Sequence, residues 1–294
     1  RFAQSDKVED LEPLIDNRTK AIYLENLGNP AFNIPDYEPI AELAQKKGIC
    51  VMVDNTFGMG GYLFRPFEWG AHVSVHSATK WIGGHGTALG GVVVDGGNFD
   101  WTAEKYPLLA APSESYHGLI YKEVFGPAAF AGRVRVDGLR NIGPAPSPFN
   151  SFLMLQGLET LSLRAERSCD NTLAVAEFLE KHPAVESVNY PGLKSNPYHE
   201  LGCKYLKHGF GGVLTFRVKG GFEAAASLVT RLELILHVGS VGDAKSLIVH
   251  PASTTHSQLS PEEQVAAGVY PNMLRLSVGI ENVDDLIADL AAAL

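Results

Sequence analysis

Along the first hundred residues, apolar positions come in short unbroken runs separated by polar, glycine-rich punctuation. "TKAIYLEN" (19–26), "ICVMVDNT" (49–56), "HVSVHSATK" (72–80) and "GGVVVDGG" (90–97) read as four strands. Between the first two, "IPDYEPIAELAQKKG" (34–48) has helical spacing, with Ile40, Leu43 and Ala44 on one face. Glu38 and Glu42 come early, Lys46 and Lys47 late, and Gly48 closes the segment. That order of charge complements the helix dipole, and the glycine supplies a C-cap. Strand, helix, strand with continuous apolar strands predicts an α/β fold with a mostly parallel sheet.

The pattern is lost from about 100 to 148, where "PLLAAPSESYHG" and "NIGPAPSPF" are rich in Pro, Ser and Gly. "FNSFLMLQGLETLSLRAERSCDNTLAVAEFLEKH" (149–182) then shows long helical periodicity, with a bend expected near Gly157. Beyond it, "VESVNY", "GGVLTFRV" and "NMLRLSVGI" read as strands and "FEAAASLVTRL" as a helix. "SPEEQVAAGV" carries a capping box from Ser260 to Glu263, with Pro261 at the first helical position. "NVDDLIADLAAAL" reads as a helix capped by Asn282. The change of pattern predicts a large domain over 1–157 and a smaller α+β domain over 158–294.

Length and composition narrow the field. The 294 residues suit one large domain or two ordinary ones. Apolar residues make up 45% and charged ones 19%, enough for a sizeable core. The 33 acidic residues outnumber the 24 basic ones, giving a formal charge of −9, and no basic cluster offers a nucleic-acid surface. Cys50, Cys169 and Cys203 are far apart and odd in number, with no metal-binding spacing. They read as the reduced thiols of a cytoplasmic protein. No apolar run reaches the ~18 residues of a membrane span. The sequence starts at Arg1, and "RFAQSDKVED" reads as the end of a strand entering a loop. The expectation is therefore a chain that begins inside its large domain.

The unusual chemistry lies in "SVHSATKWIGGHG" (74–86). In open α/β sheets ligands bind beyond the carboxyl ends of the strands. Two such ends carry charges of opposite sign: Asp54 ends "VMVD" and Lys80 follows "SVHSAT". A lysine after a strand is ordinarily a solvated loop charge, and Asp before Asn-Thr is ordinarily a turn. Together they suggest one site. A partly buried lysine has a lowered pKa and forms Schiff bases. Pyridoxal phosphate (PLP) would use such a lysine, and it needs a carboxylate at its pyridine nitrogen, which Asp54 supplies. Its phosphate takes hydroxyl donors, and Ser77 and Thr79 flank the lysine. Other readings account for less. His72 and His76 share a strand face, but a zinc site needs a third ligand and His85 is the only nearby offer. "GGHGTALGG" matches neither nucleotide-loop pattern, and Ser77 lacks a GxSxG elbow. Arg275 interrupts the apolar strand "NMLRLSV"; a buried guanidinium there would take a carboxylate in a bidentate contact.

"VMVDNTFG" followed by "HSATKWIGGHG" resembles the Cys/Met-metabolism PLP enzymes of fold type I. "YLENLGNP" is similar to their E-x-x-x-NP segment, and "KSLIVHPASTTHSQLSPEEQVAAGV" and "LRLSVGIE" to their C-terminal domain. The resemblance covers essentially the whole chain. It implies a PLP-dependent transferase fold with Lys80 as the Schiff-base lysine and proton shuttle. Asp54 would bind the pyridine nitrogen, and Ser77 and Thr79 the phosphate. Asn29 would lie near the cofactor's phenolic oxygen and the substrate carboxylate, which Arg275 clamps. Ser240 and Val241 would approach the substrate through hydroxyl and backbone groups. Within the family, "VGDAKSLIVHPASTTHSQLS" and the long segment after "GGVVVDGGNFDW" resemble the branch that makes homocysteine and acetate from O-acetyl-L-homoserine and sulfide. Cystathionine γ-synthase and methionine γ-lyase chemistry remain open, as does a non-catalytic scaffold. The resemblance further implies a homo-oligomer, a dimer of dimers whose sites borrow groups from a neighbouring subunit. The family's ring-stacking tyrosine and phosphate-binding helix N-terminus lie well upstream of the lysine, and residues 1–79 contain neither. Those upstream elements are expected to cover "VMV" and "VVV".

Overall fold

A computed structural model describes residues 1–3 and 5–294. The four apolar runs form β1 (Ala21–Glu25), β2 (Cys50–Asp54), β3 (Val73–Ser77) and β4 (Gly91–Asp95). They lie side by side in chain order; β1–β2 and β2–β3 are parallel, and β4 closes the sheet antiparallel. The helix between β1 and β2, α1 (Tyr37–Lys47), buries Tyr37, Ile40, Leu43 and Ala44. Gly48 ends it in the left-handed conformation, φ 59°, with its N–H on the Ala44 and Gln45 carbonyls. The pattern of apolar positions thus gave this helix its buried face and its stop.

Strand alternation sorts the side chains of this sheet. Glu25 pairs with Asp54 and Asp54 with Val75, so these three, and Ser77 two residues on, share one face at the strands' carboxyl ends. The opposite face holds Ile22, Val51 and Val53, buried in a core with α1 residues. The expectation for "VMV" is therefore corrected: Val51 and Val53 are buried and Met52 half-buried, because α1 and residues from later in the chain cover them. "VVV" does lie open, with Val92, Val93 and Val94 38–41% exposed on the edge strand β4.

Residues 107–120 form short helical turns, and helical turns then follow one another from Tyr121 into a π-helical stretch over Val134–Ile142, more helix than the loss of pattern over 100–148 announces. Two helices follow, α2 (Pro148–Glu159) and α3 (Leu161–Lys181). Ser147 caps α2 by accepting the Asn150 N–H. The break lies at Thr160 (φ −111°, ψ 7°), not at Gly157. Gly157 has a different task. A Cβ there would lie 2.4 Å from the carbonyl oxygens of Ile82 and Gly83, so the glycine lets α2 press against the segment after Lys80.

The remaining elements are β5 (Val185–Asn189), α4 (His199–Tyr205), β6 (Val213–Val218), α5 (Gly221–Leu228), β7 (Leu236–His237), β8 (Leu247–Val249), α6 (Pro261–Ala266), β9 (Met273–Ser277) and α7 (Val283–Ala293). A second sheet has the order β5-β6-β9-β8-β7, antiparallel except for β7–β8. The Ser260–Glu263 capping box and the Asn282 cap both form. α3 joins the two cores: Leu161, Ala165 and Cys169 pack into the first, Val175, Ala176 and Leu179 into the second.

Candidate active site

β3 ends at Ser77, so Lys80 lies three residues beyond the strand on which the sequence placed it, in a tight turn. The turn is held by backbone bonds from Lys80 N–H to Ser77 O (3.2 Å), Gly83 N–H to Ala78 O (2.8 Å) and Gly84 N–H to Lys80 O (2.7 Å). Gly84 takes φ +67°, which a side chain would resist. Lys80 is half-buried, and its Nζ donates to Ser240 Oγ at 2.9 Å. Burial pushes the ammonium pKa below its ordinary value, and the Arg275 charge adds to the push.

Ser240 is brought there by a loop from the second sheet. Ala244 N–H donates to Gly84 O (2.8 Å) and Gly242 N–H to Ser277 Oγ (3.0 Å). Val241 is buried beside them in the first core. Gly242 has no room for a side chain, because a Cβ would lie 2.7 Å from the Trp81 ring.

Asp54 ends β2 as expected. Its Oδ1 accepts the Thr56 N–H at 2.9 Å, and the Tyr23 hydroxyl donates to Oδ2 at 3.4 Å. Thr56 Oγ1 in turn accepts the Ser77 N–H at 2.9 Å. Thr56 thus ties the Asp54 carboxylate to the end of β3. Sequence reasoning passed over it, although Asp-Asn-Thr is an ordinary Asx-turn signal.

Arg275 lies in β9, opposite Thr215 and Val249, and is 8% exposed. Its Nη1 donates to Asn29 Oδ1 at 3.2 Å, and it forms no salt bridge among the described residues. Burial alone lowers its pKa. A buried cation without an internal carboxylate is costly, and it gives a strong site for an incoming anion. Asn29 N–H donates to Glu25 Oε2 at 3.1 Å. Glu25 is a second carboxylate that sequence reasoning did not single out. Desolvation of its carboxyl raises its pKa, the Asn29 N–H works against that rise, and the nearby Asp54 charge adds to it.

The expected residues are not all disposed alike. Ser77 shares the Asp54 face. The Thr79 hydroxyl is engaged with Gly90, donating to its carbonyl at 3.3 Å and accepting its N–H at 3.1 Å, so it secures the approach to β4. His72 Nδ1 accepts the Val51 N–H at 2.9 Å, and His76 Nε2 bonds Ser74 Oγ at 2.9 Å. Among the described residues no three His, Cys, Asp or Glu are grouped to hold a metal. A groove of about 1200 Å³ runs along β1 with Tyr23, Glu25 and Asn29 on its wall, but Lys80, Asp54 and Arg275 lie outside it.

The set offers an amine of lowered basicity, a carboxylate, hydroxyls and a guanidinium that has no salt bridge among the described residues. A ligand fitting it would carry an electrophilic carbon for the amine, a cationic or hydrogen-bond-donating group for Asp54 and an anion for Arg275.

The family model for Cys/Met metabolism PLP-dependent enzymes matches residues 1–294. The chain is 54% identical over 292 residues to O-acetyl-L-homoserine sulfhydrylase 1 of Thermus thermophilus, covering 99% of this chain and 69% of that protein. It is 52% identical to a homocysteine synthase of Schizosaccharomyces pombe, covering all of this chain and 69% of the relative. Among solved structures it is similar to a putative O-acetylhomoserine (thiol)-lyase from Campylobacter jejuni, which holds a pyridoxyl-lysine phosphate. The TM-score is 0.93 at 43% identity, over 98% of this chain and 69% of that one.

Proposed function

The chain belongs to the Cys/Met metabolism PLP-dependent enzyme family, and from that premise we propose that it converts O-acetyl-L-homoserine and sulfide into L-homocysteine and acetate. When bound, PLP supplies an electron sink for charge developing at the substrate's α- and β-carbons. Lys80 holds the cofactor at rest, and its lowered pKa lets the freed amine take up a proton from the α-carbon and hand it on. Ser240 orients that amine at 2.9 Å. Asp54 keeps the pyridine nitrogen protonated, with Thr56 fixing its carboxylate. Ser77 and Thr79 give hydroxyls to the phosphate, Thr79 exchanging its long bond to Gly90. Arg275 and Asn29 hold the substrate carboxylate, and Val241 closes the site from the second sheet.

The observation that carries this reading is Arg275: a buried guanidinium with an amide oxygen for a neighbour, close enough to Lys80 for its charge to lower the lysine's pKa. A substrate carboxylate anchored there brings its α-amino group toward Lys80. The test is turnover of O-acetyl-L-homoserine with sulfide by the PLP-loaded protein, reading homocysteine and acetate together. Equal amounts of both are expected. Formation of 2-oxobutyrate and ammonia instead would replace the reading with a γ-elimination. Absence of a visible-light absorbance with added PLP would leave a scaffold.

The same reading extends to a cytoplasmic dimer of dimers, with residues 1–157 and 158–294 as its two domains. The two-domain division is supported by the two separate sheets, with α2 running across the 157/158 boundary and α3 reaching into both cores, and the assembly by apolar side chains left open on α2. No helix among the described residues is long and apolar enough to cross a membrane.

A further inference from the structure

We propose that Arg164 is a positioning residue for Lys80, fixing the lysine's turn by gripping the carbonyl next to it. Arg164 is on α3 and is 5% exposed. Its Nη1 donates to Trp81 O at 2.9 Å, Nη2 to Gly157 O at 2.5 Å and Nε to Thr160 Oγ1 at 3.1 Å. None of these partners is a carboxylate. Burial pulls the guanidinium below its ordinary pKa, and only the charge of Asp243 acts the other way. A full charge is thus held in the interior on two backbone carbonyls and a hydroxyl, an arrangement that is costly unless its geometry is satisfied throughout.

Part of the arrangement is a helix cap. Gly157 O is one of the last-turn carbonyls of α2, and a cation there offsets the helix dipole. The bond to Trp81 is not needed for that cap. It reaches the residue directly after Lys80, and the surroundings are built to admit it. A Cβ on Gly84 would lie 2.0 Å from Arg164 Nη1, so the guanidinium occupies the space a side chain would take. Gly157 is pressed against the same turn from α2, and Ala244 N–H holds Gly84 O from the second sheet. The turn is therefore fixed from three sides, and the guanidinium bonds both the turn and α2. If it slackens, Lys80 moves relative to Ser240, 2.9 Å from its Nζ. A misplacement of about 1 Å at a reacting group costs on the order of 10²-fold in rate.

The inference rests on Lys80 being the cofactor lysine, so wild-type protein is measured first. Without visible absorbance or turnover in the wild type, the parent reading fails and takes this one with it. With both present, Arg164→Lys keeps the charge but cannot reach both carbonyls. In that variant kcat is expected to fall about 10- to 100-fold with KM for the amino acid within about twofold. The pH midpoint of the visible absorbance should shift. In cofactor-free protein, the rate at which trinitrobenzenesulfonate labels Lys80, read by peptide mapping, should change severalfold. Unaltered kcat, midpoint and labelling rate, whatever happens to the melting temperature, would show Arg164 to be a helix cap only. If Arg164→Lys fails to fold, Thr160→Val decides. It removes one of the three bonds and should move the same readouts in the same direction, and no movement overturns the proposal.

Discussion

Arg275 and Asp54 are single residues whose surroundings set their use. Arg275 is buried, with an amide oxygen as its neighbour and no internal counter-ion among the described residues. Replacing it with Leu removes charge-assisted bonds worth about 1.5–3 kcal/mol. KM for the amino-acid substrate should rise about ten- to hundredfold in steady-state kinetics, while PLP absorbance persists. Asp54→Asn should retain cofactor but lose most of kcat, because an amide does not keep the pyridine nitrogen protonated. Unchanged turnover would reduce Asp54 to a turn residue. Cys50 tests burial itself. Its thiol is pushed up to about 12 from 9.0, chiefly by burial. Between those values the unfolded thiol ionises and the folded one does not, so this contribution is intact below about pH 9 and is lost as pH rises toward 12. The slope reaches at most about 1.4 kcal/mol per pH unit. Melting temperatures from pH 7.5 to 10.5 should therefore fall less steeply in Cys50→Ala than in the wild type.

At the scale of elements, the contact between α2 and the Lys80 turn is the most closely fitted. Gly157 sits within a helix, where alanine ordinarily gains about 1 kcal/mol over glycine. Here the methyl would meet two carbonyl oxygens at 2.4 Å that belong to the backbone and have little freedom to yield. Gly157→Ala should therefore destabilise the protein and lower kcat together, read by thermal melting and turnover. A gain in melting temperature with full activity would mean that the helix and turn are free to separate. The periodicity of 149–182 correctly announced helix, but a glycine in such a pattern has two meanings: a bend or a close approach. Only the packing partner, 74 residues away in sequence from Gly157 at Gly83, distinguishes them.

Besides β4, the molecule leaves a run of apolar side chains open along α2. Phe149, Phe152, Leu155 and Leu158 on α2 are 47–67% exposed, spaced three residues apart. Open apolar stripes of this kind mark protein–protein contacts. On the proposed dimer of dimers, light scattering should give a mass near four times the 31.7 kDa of one chain. Phe152→Ser with Leu155→Ser should lower it. A monomer in the wild type would remove the proposed dimer of dimers.

What the sequence determined by itself was local or periodic. Runs of apolar residues located β1 to β4 and the face of α1, and charge order with Gly48 ended that helix. The neighbourhood of Lys80, Ser77 and Thr79 was legible because chain connectivity alone keeps those residues together. Asp54 could be joined to them because adjacent parallel strands end on the same side of a sheet. What tertiary structure decided depended on contacts across long separations. Ser240 meets Lys80 160 residues earlier in the chain, and Arg275 meets Asn29 across 246. Residues spaced that far carry no periodic signal, so their meeting rests on how the second sheet docks against the first. The links from Thr56 to Ser77, 21 residues on, and from Arg164 to Trp81, 83 residues earlier, are of this kind as well. Thr56 and Arg164 are ordinary polar residues until burial and a fixed partner restrict what the hydroxyl or charge can do.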